Sequence, residues 1–146
     1  MEYTNAVVVP GGREQIAALF TDTSTWRAWQ PTFLSAEVLD APPGAAAQSR
    51  LAFQRGRGEM VMTETVLDAA LPDHWNVTYE TNGVHNVCDT RFIDSGNGMT
   101  TVEQRNVFRF SGFMRVVGAL FSKSFPTETQ KTLEAFRAYV VSRSGS

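Results

Sequence analysis

The stretch GFMRVVGALFSKSFPTETQKTLEAFRAYVV, residues 112–141, carries the one helical periodicity long and apolar enough to lie across a large sheet. Phe113, Val117, Leu120 and Phe121 recur at helical spacing, and so do Thr129, Leu133, Phe136 and Val140. The two sets centre on stripes rotated by roughly a third of a turn, and Pro126 stands at the joint. Proline has no N–H to give and its ring clashes with the carbonyl four residues back, so Pro126 either kinks one helix or opens a second near its first turn. The spacing predicts a short helix over 112–122 and a main helix over 125–142. Glu128 with Lys131 and Glu134 with Arg137 fall on the outer side of the main helix, each pair worth only about 0.2–0.5 kcal/mol.

Almost everything before this stretch reads as strand. Val7-Val8-Val9 closes a first strand over 2–9, and Pro10-Gly11-Gly12 stops it. Ile16, Leu19 and Phe20 give a short amphipathic helix over 13–21. Asp22 can cap a second short helix with Trp26 and Trp29 on one side, and Pro31 ends it, since the residue before a proline leaves the helical region. From Phe33 the pattern has period two, with strands expected at 33–40, 47–55, 59–69, 74–81, 84–94 and 99–110. Glycine- and proline-rich breaks separate them, and Asn82-Gly83 is the strongest, because that pair suits the tight turn between adjacent antiparallel strands. Ser142–Ser146 reads as a frayed tail. The expectation is an α+β fold: a curved antiparallel sheet of about seven strands, two short helices after the first strand, and a long C-terminal helix over an apolar cavity.

A chain of 146 residues with 42% hydrophobic residues suits one domain, 1–146, with a substantial core. A net charge of -2 and a pI of about 5.7 give no electrostatic reason to expect nucleic acid. A single cysteine, Cys88, excludes an internal disulfide framework. Neither a basic-then-apolar leader nor an apolar run of membrane-spanning length is visible, so a cytoplasmic chain without stable membrane insertion is expected. The oligomeric state is open.

Strand parity divides the sheet's faces. Met60, Met62, Glu64 and Val66 share a side, as do Trp75, Val77 and Tyr79; Val84, Asn86, Cys88, Thr90 and Phe92; and Gln104, Asn106, Phe108 and Phe110. These are the more apolar sets and are assigned inward. Each of three sets then holds a polar residue that an ordinary core disfavours: Glu64, Asn86 and Asn106. A carboxylate in an apolar hollow is a candidate orienting group or acid/base, so Glu64 is the candidate catalytic residue. Its structural alternative is a carboxylate satisfied by Asn86, Asn106 or an arginine. With two amides on the same face, the expected balance is an anion held as a fixed hydrogen-bond acceptor. The candidate ligand-binding set is Trp29 from the second short helix, Met60, Met62, Glu64, Trp75, Tyr79, Asn86, Thr90, Asn106 and Phe108 from the sheet, and Phe113, Val117 and Phe121 from the C-terminal helical stretch.

His85, Cys88 and Asp89 resemble a metal-ligand cluster in text, but residues three apart on a strand point to opposite faces. Neither a metal nor another cofactor is expected. Cys88 reads as a small buried hydrophobe, and Gly56-Arg57-Gly58 as a hairpin turn, not a phosphate loop.

The order of elements resembles the START-like SRPBCC superfamily, the helix-grip fold. Thr25-Trp26-Arg27-Ala28-Trp29-Gln30-Pro31, Met62-Thr63-Glu64-Thr65-Val66, the run from Thr78 to Asn86 and the run from Asn106 to Met114 are similar to motifs of its polyketide cyclase/dehydrase-like bacterial members. Nearly the whole chain is covered. The resemblance implies a cavity under the last helix that takes lipids, isoprenoids or polyketide-like molecules, with cyclisation or dehydration in some members and no assigned activity in many small ones. Glu64, Asn86 and Asn106 fall on motif positions. Pro126 departs from the pattern, in which a basic residue follows the phenylalanine. Fold alone does not carry function. The leading expectation is a carrier or sensor of a small, mostly apolar molecule; the alternatives are a cyclase/aromatase/dehydratase-like enzyme using Glu64 and a protein-interaction module.

Overall fold

The computed structural model describes residues 1–144. The elements in order are β1 (Glu2–Pro10), α1 (Arg13–Thr21), α2 (Thr23–Trp29), β2 (Phe33–Leu39), β3 (Gln48–Arg55), β4 (Gly58–Ala70), β5 (His74–Thr81), β6 (Val84–Gly96), β7 (Met99–Phe110), α3 (Met114–Leu120) and α4 (Ser124–Ser144). All seven strands join one antiparallel sheet in the order β1-β7-β6-β5-β4-β3-β2. Five hairpins connect β2 through β7, and β7 then pairs with the first strand.

Local chemistry explains the connections. At the β5–β6 turn Gly83 has φ of 72°, and an added Cβ would stand 2.7 Å from Met114 Cγ and 3.0 Å from the Ser111 carbonyl oxygen. Both the backbone conformation and the close approach of α3 therefore require glycine there. Register shifts at Phe33/Ser35, Val66/Asp68 and Asp94/Gly96 are bulges, which bend strands and increase their twist. The β4 bulge comes after Val66, so the alternation from Met60 to Val66 is unbroken.

α4 turns Leu133, Phe136 and Val140 into the core. Its polar flank caps the free edge of β1: Gln130 Nε2 donates to the Ala6 carbonyl at 3.1 Å and Arg137 Nε to the Val8 carbonyl at 2.9 Å. Both groups satisfy strand carbonyls that would otherwise remain open to another chain. Asp22 caps α2 by accepting from the Ser24 backbone N–H at 3.0 Å, which turns Trp26 and Trp29 inward. Phe136 then meets Phe20 and Trp29, each with ring centroids 5.0 Å apart, so one end of the space between sheet and helix is filled with rings.

Pro126 lies in the first turn of α4, and the segment 121–123 is a turn, so the chain stops one helix and opens another. The expected stripe of Phe113, Val117, Leu120 and Phe121 does not face the sheet. Phe113 is 78% exposed and Leu120 74%. α3 approaches the sheet through Gly118, where a Cβ would come within 2.6 Å of the Phe110 ring. A residue without a side chain makes the contact, so a pattern of apolar side chains does not register it. The tail expected from Ser142 is helical to Ser144; Gly145 and Ser146 lie outside the described residues.

Candidate functional site

The far half of the space between sheet and α4 is hollow, with a cavity of about 390 Å³. Phe20, Trp26 and Trp29 close one end, Met60 and Met62 with Trp75 and Tyr79 form one side, and Phe108 and Phe125 stand at the other end. The floor is Asn86, Cys88, Gln104 and Asn106, and the roof is the α4 face carrying Glu128, Thr129, Thr132 and Leu133.

Eight of the expected residues line this space: Trp29, Met60, Met62, Trp75, Tyr79, Asn86, Asn106 and Phe108. Glu64 and Thr90 share the same sheet face but are not among the lining residues. Phe113, Val117 and Phe121 are a correction: α3 lies outside the cavity, Phe113 and Phe121 are exposed, and the helix side of the lining comes from α4. Tyr3, Phe53, Phe125 and Thr132 were not singled out from the sequence. Tyr3 was detectable, since Tyr3, Asn5, Val7 and Val9 alternate on one face of β1, opposite Asn106, Gln104, Val102 and Thr100 of β7.

The floor is a directional chain of hydrogen bonds. Asn86 Nδ2 donates to Asn106 Oδ1 at 3.1 Å, Asn106 Nδ2 to Gln104 Oε1 at 3.2 Å, and Gln104 Nε2 to Thr90 Oγ1 at 3.2 Å. Asn86 Nδ2 also faces the carbonyls of Val87 and Val107, at 3.3 and 3.4 Å, and three oxygens around it fix the orientation of the amide. Above the chain, the Tyr3 hydroxyl and Thr129 Oγ1 lie 2.9 Å apart and tie β1 to α4.

Glu64 stands apart from this chain. The register Glu64–Tyr79–Asn86 across β4, β5 and β6 inserts a tyrosine between the carboxyl and the amides. The expectation that Asn86 or Asn106 holds a Glu64 anion is therefore corrected, because both amides are engaged with each other and with Gln104. Glu64 is 6% exposed, and its Oε2 is buried with no hydrogen-bond partner. Burial raises its pKa, while a hydrogen bond from the Tyr79 hydroxyl works the other way without reversing it. Burial likewise raises the Tyr79 phenol well above its ordinary value, reinforced by the Glu64 charge. Cys88 is buried on the same face and pushed up to about 12. His85 lies on the opposite face beside Glu80, 3.5 Å from its carboxylate.

The raised Glu64 pKa gives a stability prediction. The folded chain keeps the Glu64 proton over a pH range in which the unfolded chain has released it, so this group makes stability fall as pH rises through that range. Glu64→Gln removes the dependence. Its unfolding free energy relative to the parent should change little below the ordinary carboxyl pKa and should rise to a plateau above the raised one. Urea unfolding across that pH range checks this, and a variant that loses ground as pH rises would contradict the raised pKa of the buried carboxyl.

Residues 1–141 match the family model described as polyketide cyclase/dehydrase and lipid transport. Among solved structures, a START superfamily protein from Mycobacterium smegmatis superposes with a TM-score of 0.79 at 15% identity, with 97% of each chain covered. A protein from Thermus thermophilus gives 0.74 at 17% identity over 99% of each chain. An aromatase/cyclase from a Streptomyces species gives 0.70 at 16% identity, covering 98% of this chain and 94% of that one. At such identities the likeness shows the helix-grip fold alone. No curated protein matches.

Proposed function

This chain belongs to the polyketide cyclase/dehydrase and lipid transport family, and from that premise we propose that it holds a small, mostly apolar molecule between the sheet and α4, as a carrier or sensor. One observation supports this above the rest: the walls are aromatic rings and thioethers, while the polar floor is largely consumed by its own hydrogen-bond chain. A strongly polar ligand would lose its water and find few free partners, whereas apolar surface gains by leaving water. The volume lies toward the lower end of the roughly 300–1,000 Å³ common for small-ligand sites, which suits a compact molecule better than a long two-chain lipid. The Asn86 side-chain carbonyl oxygen accepts no bond from the described residues and is the group that orients a ligand hydroxyl or N–H. Saturable binding of a neutral apolar probe tests this reading, with unchanged probe recovered by native mass spectrometry.

A cyclase- or dehydratase-like enzyme is the second reading, and the state of Glu64 favours it. A carboxyl whose pKa is raised by burial is suited to give or take a proton, and Glu64 reaches the cavity through the hydroxyl of Tyr79, which lines it. Under this reading Glu64→Gln lowers turnover of a polyketide-like substrate by roughly 10²–10⁴ while binding persists. Under the carrier reading the same variant keeps binding the apolar probe, and the ligand leaves unchanged.

A further inference from the structure

We propose that α3 and its flanks form a docking surface for an anionic lipid bilayer. Phe113, Val116, Leu120 and Phe121 are exposed together within nine residues, a density of large apolar side chains unlike single surface leucines or valines. The charge around them has one sign. Arg109, Arg115 and Lys123 are exposed and make no ion pair among the described residues, and the sequence from Gln104 to Thr127 contains no aspartate or glutamate, in a chain whose net charge is -2. Two of the acids near this region are paired with a permanent cation, Glu2 with Arg105 and Glu128 with Lys131. A short helix with aromatic and leucine side chains outward and arginine and lysine beside them is suited to lie in the interfacial layer of a bilayer, its rings among the acyl chains and its cations at anionic headgroups. A protein partner with an acidic, apolar groove would share the charge, but it would need a shaped counterpart to two rings at a free helix end, which a fluid bilayer does not.

The surface is also continuous with the cavity wall. Gly118 presses α3 onto Phe110, and Phe110 and Phe108 both meet Phe125, with centroids 5.7 and 5.0 Å away. Phe108 and Phe125 line the cavity, so Phe110 and the rings it meets separate it from the docked helix. The surface is argued independently of what the cavity holds.

Co-sedimentation of the full chain with vesicles tests the proposal. Vesicles of equimolar phosphatidylcholine and phosphatidylglycerol should pellet the protein, whereas pure phosphatidylcholine should pellet much less, and added salt should weaken the binding. Combining Phe113→Ser, Leu120→Ser and Phe121→Ser should reduce affinity for the anionic vesicles at least about tenfold, since three large side chains lose their apolar burial. Arg109→Gln, Arg115→Gln and Lys123→Gln together should erase the preference for phosphatidylglycerol. Far-UV circular dichroism and thermal unfolding confirm that these surface variants fold. Failure of the parent chain to bind anionic vesicles, or equal binding by the serine variant, would overturn the proposal. So would a self-association seen by sedimentation equilibrium and lost in the serine variant, because a second copy would then be what covers the patch.

Discussion

Phe136→Ala is expected to cost about 3–5 kcal/mol of folding stability, a large share of the roughly 5–15 kcal/mol that keeps a domain folded. Phe136 is fully buried on α4 and meets Phe20 of α1 at an edge-to-face angle of 83° and Trp29 of α2 at 67°. Its ring is where the last helix locks onto the two short ones, and these close one end of the cavity. Truncation leaves a hole that surrounding rings, already in contact with Trp75 and Phe92, cannot fill by small shifts. Urea unfolding measures the loss, and a midpoint lowered by roughly 10 °C should accompany it in a thermal scan. Phe113→Ala, on the exposed face of α3, is the internal control and should stay within about 0.5 kcal/mol of the parent. A cost below that of an ordinary surface change at Phe136 would mean that α4 is not anchored there.

Cys88 should react with a thiol reagent roughly a thousandfold more slowly in the folded chain than in denaturant at about pH 8, because the thiolate is the reacting form. Burial pushes this thiol up to about 12, against which a hydrogen bond from Thr90 is a smaller, opposing effect. The Cys88 thiol and Thr90 Oγ1 are 4.0 Å apart. Local opening must also precede attack, which slows the folded reaction further. Comparable rates in the two states would show that Cys88 does not face inward, and Asn86, two residues away on the same face of β6, would lose its place in the cavity floor with it.

The strands were legible because turn chemistry and alternation agree. β5 and β7 run over the residues that Asn82-Gly83 and Ser95-Gly96-Asn97-Gly98 delimit, and the remaining strands fall within about two residues of expectation, the usual uncertainty at an element's end. Parity placed Met60, Met62, Trp75, Tyr79, Asn86, Asn106 and Phe108 together, since period two needs no knowledge of neighbours. What parity lacks is register. Glu64, Asn86 and Asn106 share a face, yet only the pairing of β4 with β5 and β5 with β6 shows that Tyr79 separates the carboxyl from the amides. The α3 residues failed for another reason. Phe113, Leu120 and Phe121 form an apolar stripe, and a stripe states that a helix has two faces without stating which one meets the sheet; Gly118 decides that through the absence of a side chain.

The central claim, that a small apolar molecule occupies the space under α4, is tested most directly by tryptophan emission. Trp26, Trp29 and Trp75 are the chain's three tryptophans and all line the cavity, so a bound fluorophore lies beside every donor. Titration with N-phenyl-1-naphthylamine should quench their emission saturably, with an end point at one equivalent. Thr132→Phe places a ring from α4 into the same space and should weaken that binding by about tenfold or more, since overfilling a packed site commonly costs about 1–3 kcal/mol. Quenching that never saturates, or a Thr132→Phe protein that folds and titrates like the parent, would contradict the claim.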